Sequence, residues 1–192
     1  MSKKRIEKVW IERVIDDSPD LSWLGEYGET AKTEWAVDRQ ERGDQMRGEY
    51  RFWNPSSNHC PPGQLNNWKT VSDVSIAELC QQYDVYAGYE RQEAIKALDL
   101  YYIEKDYQRC EAFNRGDWCM IGVIAKARVV SENGVIQTFR SGGLWGVESD
   151  SGKSYFAEIE QEELADLCNE LLSFGFGARA ITYALRRVER AD

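Results

Sequence analysis

The chain has 192 residues, and 42% of them are hydrophobic. This size favours one domain with a single core and additional peripheral elements over several domains. Its net charge is −9, and an anionic surface repels phosphates, so direct binding of nucleic acid through a broad basic face is not expected. The five cysteines are widely spaced and odd in number, which argues against both a zinc knuckle and a disulfide framework.

The first third of the chain predicts two strands and a short helix. Residues Ile6–Ile15 alternate apolar and charged side chains, which is typical of a half-buried strand. No apolar run here or later is long enough to cross a bilayer, so we expect a cytoplasmic protein without a membrane partner. A short helix is predicted within residues 30–46, capped by Thr30 or Thr33 and limited by Gly43. A strand at Gly48–Trp53 follows it.

The middle of the chain predicts a long loop and two helices. Residues 54–73 are dense in Pro, Asn, Ser and Gly, which is typical of an irregular loop. Apolar side chains then recur at helical spacing over Ile76–Tyr86 and again over Ile95–Cys110. Gly116 suits the left-handed cap that would end the second of these helices.

The clearest predicted element is a hairpin over Trp118–Val147, because Asn133-Gly134 between two β-rich runs is a strong hairpin signal. A helix should follow from about Ser154 and stop at Gly175. Its predicted buried face consists of Leu164, Leu167, Leu171 and Phe174. A last, basic helix is predicted over Ala178–Ala191.

These elements together predict the α+β class, as a single domain over residues 1–176. The N-terminal strand and the hairpin would form an antiparallel sheet packed against helices from the middle and C-terminal parts. Residues 177–192 would form a basic helical tail.

The segment "ESDSGKS" (residues 148–154) ends like a phosphate-binding loop. However, Gly146 and Gly152 are one residue too far apart for that loop, and Glu148 and Asp150 would repel phosphates. A calcium loop would need an oxygen ligand at its fifth position and a Glu at its twelfth, and both are missing. A weak cation site at Glu148 and Asp150 is retained as an alternative interpretation. The simpler interpretation is a helix N-terminus capped by Ser151 or Ser154.

An enzyme is the less favoured class. His59 is the single histidine, and Cys119 or Cys168 would have to approach it to form a nucleophile and base. No spacing of carboxylates singles out an acid–base pair, so we predict a binding protein and no cofactor. The alternative is a metal- or small-ligand-dependent enzyme that uses the 148–154 turn and the 54–73 loop. Its pocket would be lined by Trp53, Trp68 and Trp145.

Negative charge is concentrated over residues 135–174, which contain two Lys or Arg against eight Asp or Glu. The helix in this region carries Glu162, Glu163, Asp166 and Glu170, which we expect on its exposed side. Exposed carboxylates can take the place of phosphates against Arg and Lys of a protein partner. The other interpretation is a solvated face that keeps the protein in solution.

Four segments resemble a family of small acidic proteins of unassigned function found on bacteriophages and other mobile elements. They are "DDSPDLSWLGEY" (Asp16–Tyr27), "RGEYRFWNP" (Arg47–Pro55), "NRGDWCMIGV" (Asn114–Val123) and "SGGLWGVESDS" (Ser141–Ser151). The likeness covers most of the chain except the region around Val74–Glu93 and the tail after Phe176. It implies no catalytic residues.

The resemblance implies a setting, namely a phage product in the cytoplasm of a bacterial host. Compact acidic proteins of this kind frequently inhibit host machinery by occupying sites meant for nucleic acid. The expected function is therefore inhibition of a host defence or nucleic-acid-processing complex, of the anti-CRISPR or antirestriction type. The expected partner is a host protein complex with a basic nucleic-acid groove. A phage structural protein is a further alternative.

Overall fold

The computed structural model describes residues 4–43, 50–56, 78, 81–82 and 91–190. The predicted helix over Ile76–Tyr86 and residues 57–73 of the predicted loop, which include His59 and Trp68, are not covered by these ranges, apart from the isolated residues 78 and 81–82.

The chain is α+β, as predicted. Its elements in chain order are β1 (Arg5–Ile15), β2 (Gly25–Gly28), β3 (Val37–Asp38), α1 (Arg39–Arg42), β4 (Phe52–Pro55), α2 (Arg91–Arg115), β5 (Met120–Val130), β6 (Ile136–Arg140), β7 (Leu144–Glu148), α3 (Lys153–Ser173), α4 (Ala178–Leu185) and β8 (Glu189–Arg190). No helix among the described residues is long and apolar enough to cross a membrane.

The chain divides into two compact units. The first consists of Met1–Pro19 with Trp118–Asp192, and the second of Asp20–Asp117. The C-terminal residues thus belong to the first unit instead of forming a separate tail. The single domain over residues 1–176 stays a prediction.

The first unit contains a sheet of strand order β6-β5-β1-β8 in which β7 also pairs with β5. Strand β1 runs antiparallel to β5 over nearly its whole length, from Arg5 opposite Val130 to Ile15 opposite Ile121. Strand β8 joins the other side of β1 in parallel. The predicted N-terminal strand and hairpin therefore do share one sheet.

The hairpin prediction is confirmed. Strands β5 and β6 are antiparallel, with Val130 opposite Ile136, and Asn133-Gly134 lies in the turn between them. Gly134 has φ of 83°, a left-handed conformation that glycine adopts without steric cost. The Ser131 N–H donates to the Val135 carbonyl at 2.9 Å and closes the turn.

Helix α3 packs on the sheet, mainly on β5, and its predicted apolar face is correct for three of four residues. Leu167 and Leu171 are fully buried and Leu164 is partly buried in the core. The prediction for Phe174 was wrong, since this side chain is 55% exposed. Phe174 is the C-cap residue and leaves the helical path, and the buried position is taken by Phe176 instead.

Two further predictions about helix ends were wrong. The N-cap of α3 is Gly152, and no side chain caps it, so neither Ser151 nor Ser154 has that role. The last helix ends at Leu185, and the residues after it turn into β8. Ile181 of α4 is buried in the core of the first unit, which is why this segment is held against β1.

The second unit contains a sheet of order β2-β4-β3, contacted by α2. The strand predicted at Gly48–Trp53 is β4, which begins later, at Phe52. The short helix α1 is capped by Asp38 and not by a threonine, because the Asp38 carboxylate accepts the Gln40 N–H at 3.1 Å. The predicted stops at Gly43 and Gly116 are confirmed.

Candidate functional site

Helix α3 has two sides of different chemistry. The side that faces the sheet contributes Phe156, Ile159, Glu160, Glu163, Leu167 and Leu171 to the buried residues. Apolar residues three and four positions apart share one face of a helix, so the sequence itself places the opposite side in solvent. That opposite side carries four of the six carboxylates of α3.

The exposed side of α3 carries an acidic stripe, which we define as Glu158, Glu162, Asp166 and Glu170. All four side chains are exposed, and none forms an ion pair with a described residue. Their spacing of four residues makes each a neighbour of the next, about 6 Å along the axis. Like charges at this spacing destabilise a helix by about 0.2–0.5 kcal/mol per pair. Three such pairs make the stripe a cost to folding.

The prediction that Glu163 belongs to this exposed surface was wrong. Glu163 is only 7% exposed, and its carboxylate accepts the Gly143 N–H at 3.0 Å. Gly143 has φ of 81° in the connection between β6 and β7, a left-handed conformation that favours glycine, and Glu163 holds this turn in place. Glu163 lies four residues before Leu167, on the buried face. The fourth exposed carboxylate of the stripe is Glu158 instead. Its position four residues before Glu162 places it on the same side of the helix and could have identified it from the sequence.

Glu160 is a second buried carboxylate that the sequence reasoning missed. It is 4% exposed, accepts from Arg13 of β1 at 3.1 Å and from Arg190 of β8 at 2.8 Å. The Arg13 guanidinium also lies 4.1 Å from the centre of the Phe156 ring. Glu160 thereby connects α3 to both strands. Its position four residues after Phe156 was the available sequence signal.

The tryptophans predicted to line a ligand pocket have unlike environments. Trp53 is 0% exposed, and its ring lies 5.5 Å from that of Tyr107 in the second unit. It is a core residue, and its prediction as a binding residue was wrong. Trp145 of the first unit is half exposed and lies over Gly122, where an added Cβ would be 2.6 Å from the ring. Trp68 is not a described residue.

The 148–154 segment forms a turn between β7 and α3. The Ser151 N–H donates to the Glu148 carbonyl at 3.0 Å, and the Ser149 hydroxyl accepts the Cys119 N–H at 2.9 Å. Within the described ranges, no three His, Cys, Asp or Glu side chains are grouped so that they could hold a metal ion. A cation site at Glu148 and Asp150 stays a prediction that rests on two carboxylates.

Two of the described thiols, Cys110 and Cys168, do not have the chemistry of an activated nucleophile. Burial raises the pKa of Cys110 to about 11 and also raises the pKa of Cys168. A raised pKa lowers the fraction of thiolate at neutral pH, and the thiolate is the reactive form. The pairing of Cys119 or Cys168 with His59 stays untested, because His59 is not a described residue.

The second unit contains a buried polar cluster around Arg39, which is 1% exposed. Its guanidinium lies 3.1 Å from the Glu111 carboxylate and donates to the Tyr50 carbonyl at 3.2 Å. The Tyr27 hydroxyl donates to Glu111 at 2.8 Å and accepts from Asn114 at 2.8 Å. Burial, followed by the bond to Glu111, raises the pKa of Tyr27, so this phenol stays neutral and donates.

A cleft of about 600 Å³ lies beside this cluster and is lined by Arg42, Glu104, Tyr107, Gln108, Glu111 and Arg115. Its charges are already paired. Arg42 binds Glu104 through two parallel bonds of 3.0 and 2.6 Å, and Arg115 pairs with Asp117 at 2.8 Å. Arg42 thereby lowers the pKa of Glu104. Small-molecule sites are mostly apolar with a few converging polar groups, and this cleft has the opposite composition.

No family model, curated protein or solved structure matches this chain. Arg39, Arg42 and Lys126 each pair with a carboxylate of their own unit, whereas the four carboxylates of the acidic stripe form no ion pair with a described residue.

Proposed function

We propose that this protein acts by binding another protein through the acidic stripe of α3. The partner presents arginine and lysine side chains in a groove that otherwise receives nucleic acid, so the bound protein inhibits it. The observation that supports this is the set of four exposed carboxylates at four-residue spacing, none of which forms an ion pair with a described residue.

The energetics of the stripe favour a role outside folding. A Lys or Arg three or four residues away from a surface carboxylate stabilises a helix. In α3 the residues at that spacing are further carboxylates, so the stripe opposes folding. A basic partner removes this repulsion and adds attraction, which speeds encounter and selects against acidic partners.

The charge density of the stripe indicates the kind of groove it fits. Four residues of helix rise about 6 Å, against about 3.4 Å between charges along one DNA strand. The stripe therefore has roughly half the linear charge density of one strand. It suits a groove in which a few arginines or lysines are spaced along a line. Its charge density is too low to imitate both strands of a DNA duplex.

The resemblance to acidic proteins of phages and mobile elements supports the biological part of the proposal. In that setting the partner belongs to a host defence or nucleic-acid-processing complex, as for an anti-CRISPR or antirestriction protein. The site of action is the cytoplasm of the bacterial host.

Charge reversal of the stripe tests the proposal. The host partner is first isolated by affinity capture with the wild-type protein. The variant Glu162→Lys/Asp166→Lys should bind this partner at least about tenfold more weakly, because like charges then face each other across the interface. Its association rate should also lose most of its dependence on salt. Binding kinetics over a series of salt concentrations measure both effects.

The matched control is Glu29→Lys/Glu34→Lys, which makes the same change in net charge at exposed residues of the second unit. It should bind the partner like the wild type. Both variants should fold normally, since exposed substitutions usually change stability by less than about 0.5 kcal/mol. Equal binding by the wild type and the stripe variant would show that the stripe is only a solvated face.

A further inference from the structure

Strand β6 forms one edge of the sheet in the first unit. Among the described strands it pairs only with β5, on one side. Its sequence Ile-Gln-Thr-Phe-Arg contains three residues that favour strands, no proline and one charge. Edge strands of monomers are usually protected by proline, bulges or several charges, and this edge has little such protection.

The register shows which backbone groups point away from the sheet. Ser131 donates to Val135, and Ser141 donates to Ala125, so these two pairs and every second pair between them are hydrogen-bonded. The intervening residues Ile136, Thr138 and Arg140 direct their N–H and C=O groups outward. They form a row that is ready to pair with another strand.

Apolar surface accompanies this row on both faces of the sheet. On one face, Ile136 is 61% exposed. On the other face, a cleft of about 490 Å³ lies beside the strand, lined by Phe139, Phe174 and Phe176 together with Lys4 and residues of the β5–β6 turn. The Phe139 and Phe174 rings lie 4.5 Å apart, and Phe174 remains 55% exposed.

We propose that the edge of β6 is a self-association surface, on which β6 of a second copy of this chain pairs antiparallel. The two-fold axis passes through Thr138, so Thr138 lies opposite Thr138 of the second copy and Ile136 lies opposite its Arg140. This pairing uses all the outward backbone groups of both strands.

The register of such a pair places complementary side chains together. Gln137 lies opposite Phe139 of the second copy, and the two Phe139 side chains become diagonal neighbours, within reach of each other. The clefts with Phe174 and Phe176 then meet near the axis. The exposure of Phe174 in the single chain is thereby explained as part of an apolar surface that the second copy covers.

Charge complementarity favours a second copy as the occupant. Arg140 lies at one end of the free edge, and Glu132 lies in the turn at the other end; neither forms an ion pair with a described residue. Antiparallel pairing brings each Arg140 to the end that carries Glu132 of the other copy. Within the paired strands no two like charges lie opposite each other, and the patch is self-complementary, as a two-fold interface requires.

Sedimentation equilibrium over a wide concentration series tests the proposal. The wild type should form a species of twice the mass of one chain. The variant Thr138→Pro should remain a single chain throughout, because proline lacks the donor at the axis. Its fold should persist, since the Thr138 N–H points away from β5. The control Thr138→Val keeps the N–H and should self-associate like the wild type.

A charge swap distinguishes self-pairing from any other dimer. Arg140→Glu and Glu132→Arg alone should each weaken self-association by about tenfold, and the double variant should restore it. A wild type that stays a single chain at every concentration would overturn the proposal. So would a dimer that forms equally well with Thr138→Pro, or a double variant without recovery, since either places the contact on another surface.

Discussion

Replacing Arg39 with methionine should lower the free energy of unfolding by about 3–5 kcal/mol, because it leaves the charge of Glu111 buried without its partner. The side chains of this pair are only 2% and 13% exposed. Urea unfolding followed by tryptophan fluorescence measures the change, since Trp53 is a buried reporter in the same unit.

The geometry around Arg39 explains why the effect should be large. Glu111 receives bonds from both the Arg39 guanidinium, at 3.1 Å, and the Tyr27 hydroxyl, at 2.8 Å. Methionine fills much of the same volume but offers no donor and no charge. The loss is therefore electrostatic, and the carbonyl of Tyr50 loses a donor as well.

The matched control is Arg115→Met, the same substitution at an ion pair whose side chains are 58% and 55% exposed. Exposed pairs contribute about 0–1 kcal/mol, so this variant should be nearly as stable as the wild type. The double variant Arg39→Met/Glu111→Gln should recover part of the loss, because it removes the buried charge itself. Equal stability of the two single variants would contradict the assignment of Arg39 as a buried anchor.

Local sequence signals predicted the framework of the first unit. The alternation of Ile6–Ile15 corresponds to β1, and Asn133-Gly134 forms the turn between β5 and β6. These signals work because strand burial and turn conformation depend on residues close together in the chain. The glycine that ends α2 was found for the same reason.

Contacts between distant residues were not predictable in this way. The cluster of Arg39 and Glu111 joins residues 72 positions apart, and no local pattern indicates that an arginine is fully buried. Trp53 was misjudged because a tryptophan next to a polar loop has the same local sequence whether it is buried or exposed. Its burial depends on α2 packing against β4.

The sequence predicted that the acidic site lies on α3, but it predicted only some of the carboxylates that belong to the site. The helix and three of its four carboxylates, Glu162, Asp166 and Glu170, are on the exposed side as expected. Glu163 was misassigned because charge was given more weight than helical phase. A residue four positions before a buried leucine lies on the buried side, whatever its charge.

Replacing Glu160 with alanine should lower the free energy of unfolding by about 2–4 kcal/mol, since it removes two charge-assisted bonds from a buried carboxylate. The expected loss of stability is smaller than for Arg39. The side chains of Arg13 and Arg190 are 33% and 62% exposed, so water can solvate their charges after Glu160 is removed. The loss should fall on the C-terminal segment first. Among the described residues, strand β8 pairs with β1 at two positions, so we expect it to depend on the bond from Arg190 to Glu160.

The control for this variant is Glu162→Ala, the same substitution two residues along the same helix. Glu162 is exposed between Glu158 and Asp166, so its removal relieves like-charge repulsion and should change stability by a few tenths of a kcal/mol at most, in the stabilising direction. Amide hydrogen exchange separates the two cases by location. Glu160→Ala should speed exchange over residues 178–190, whereas Glu162→Ala should leave exchange there unchanged. If both variants exchange like the wild type, Glu160 does not hold the C-terminal segment, and the apolar contacts of Ile181 alone keep α4 and β8 in place.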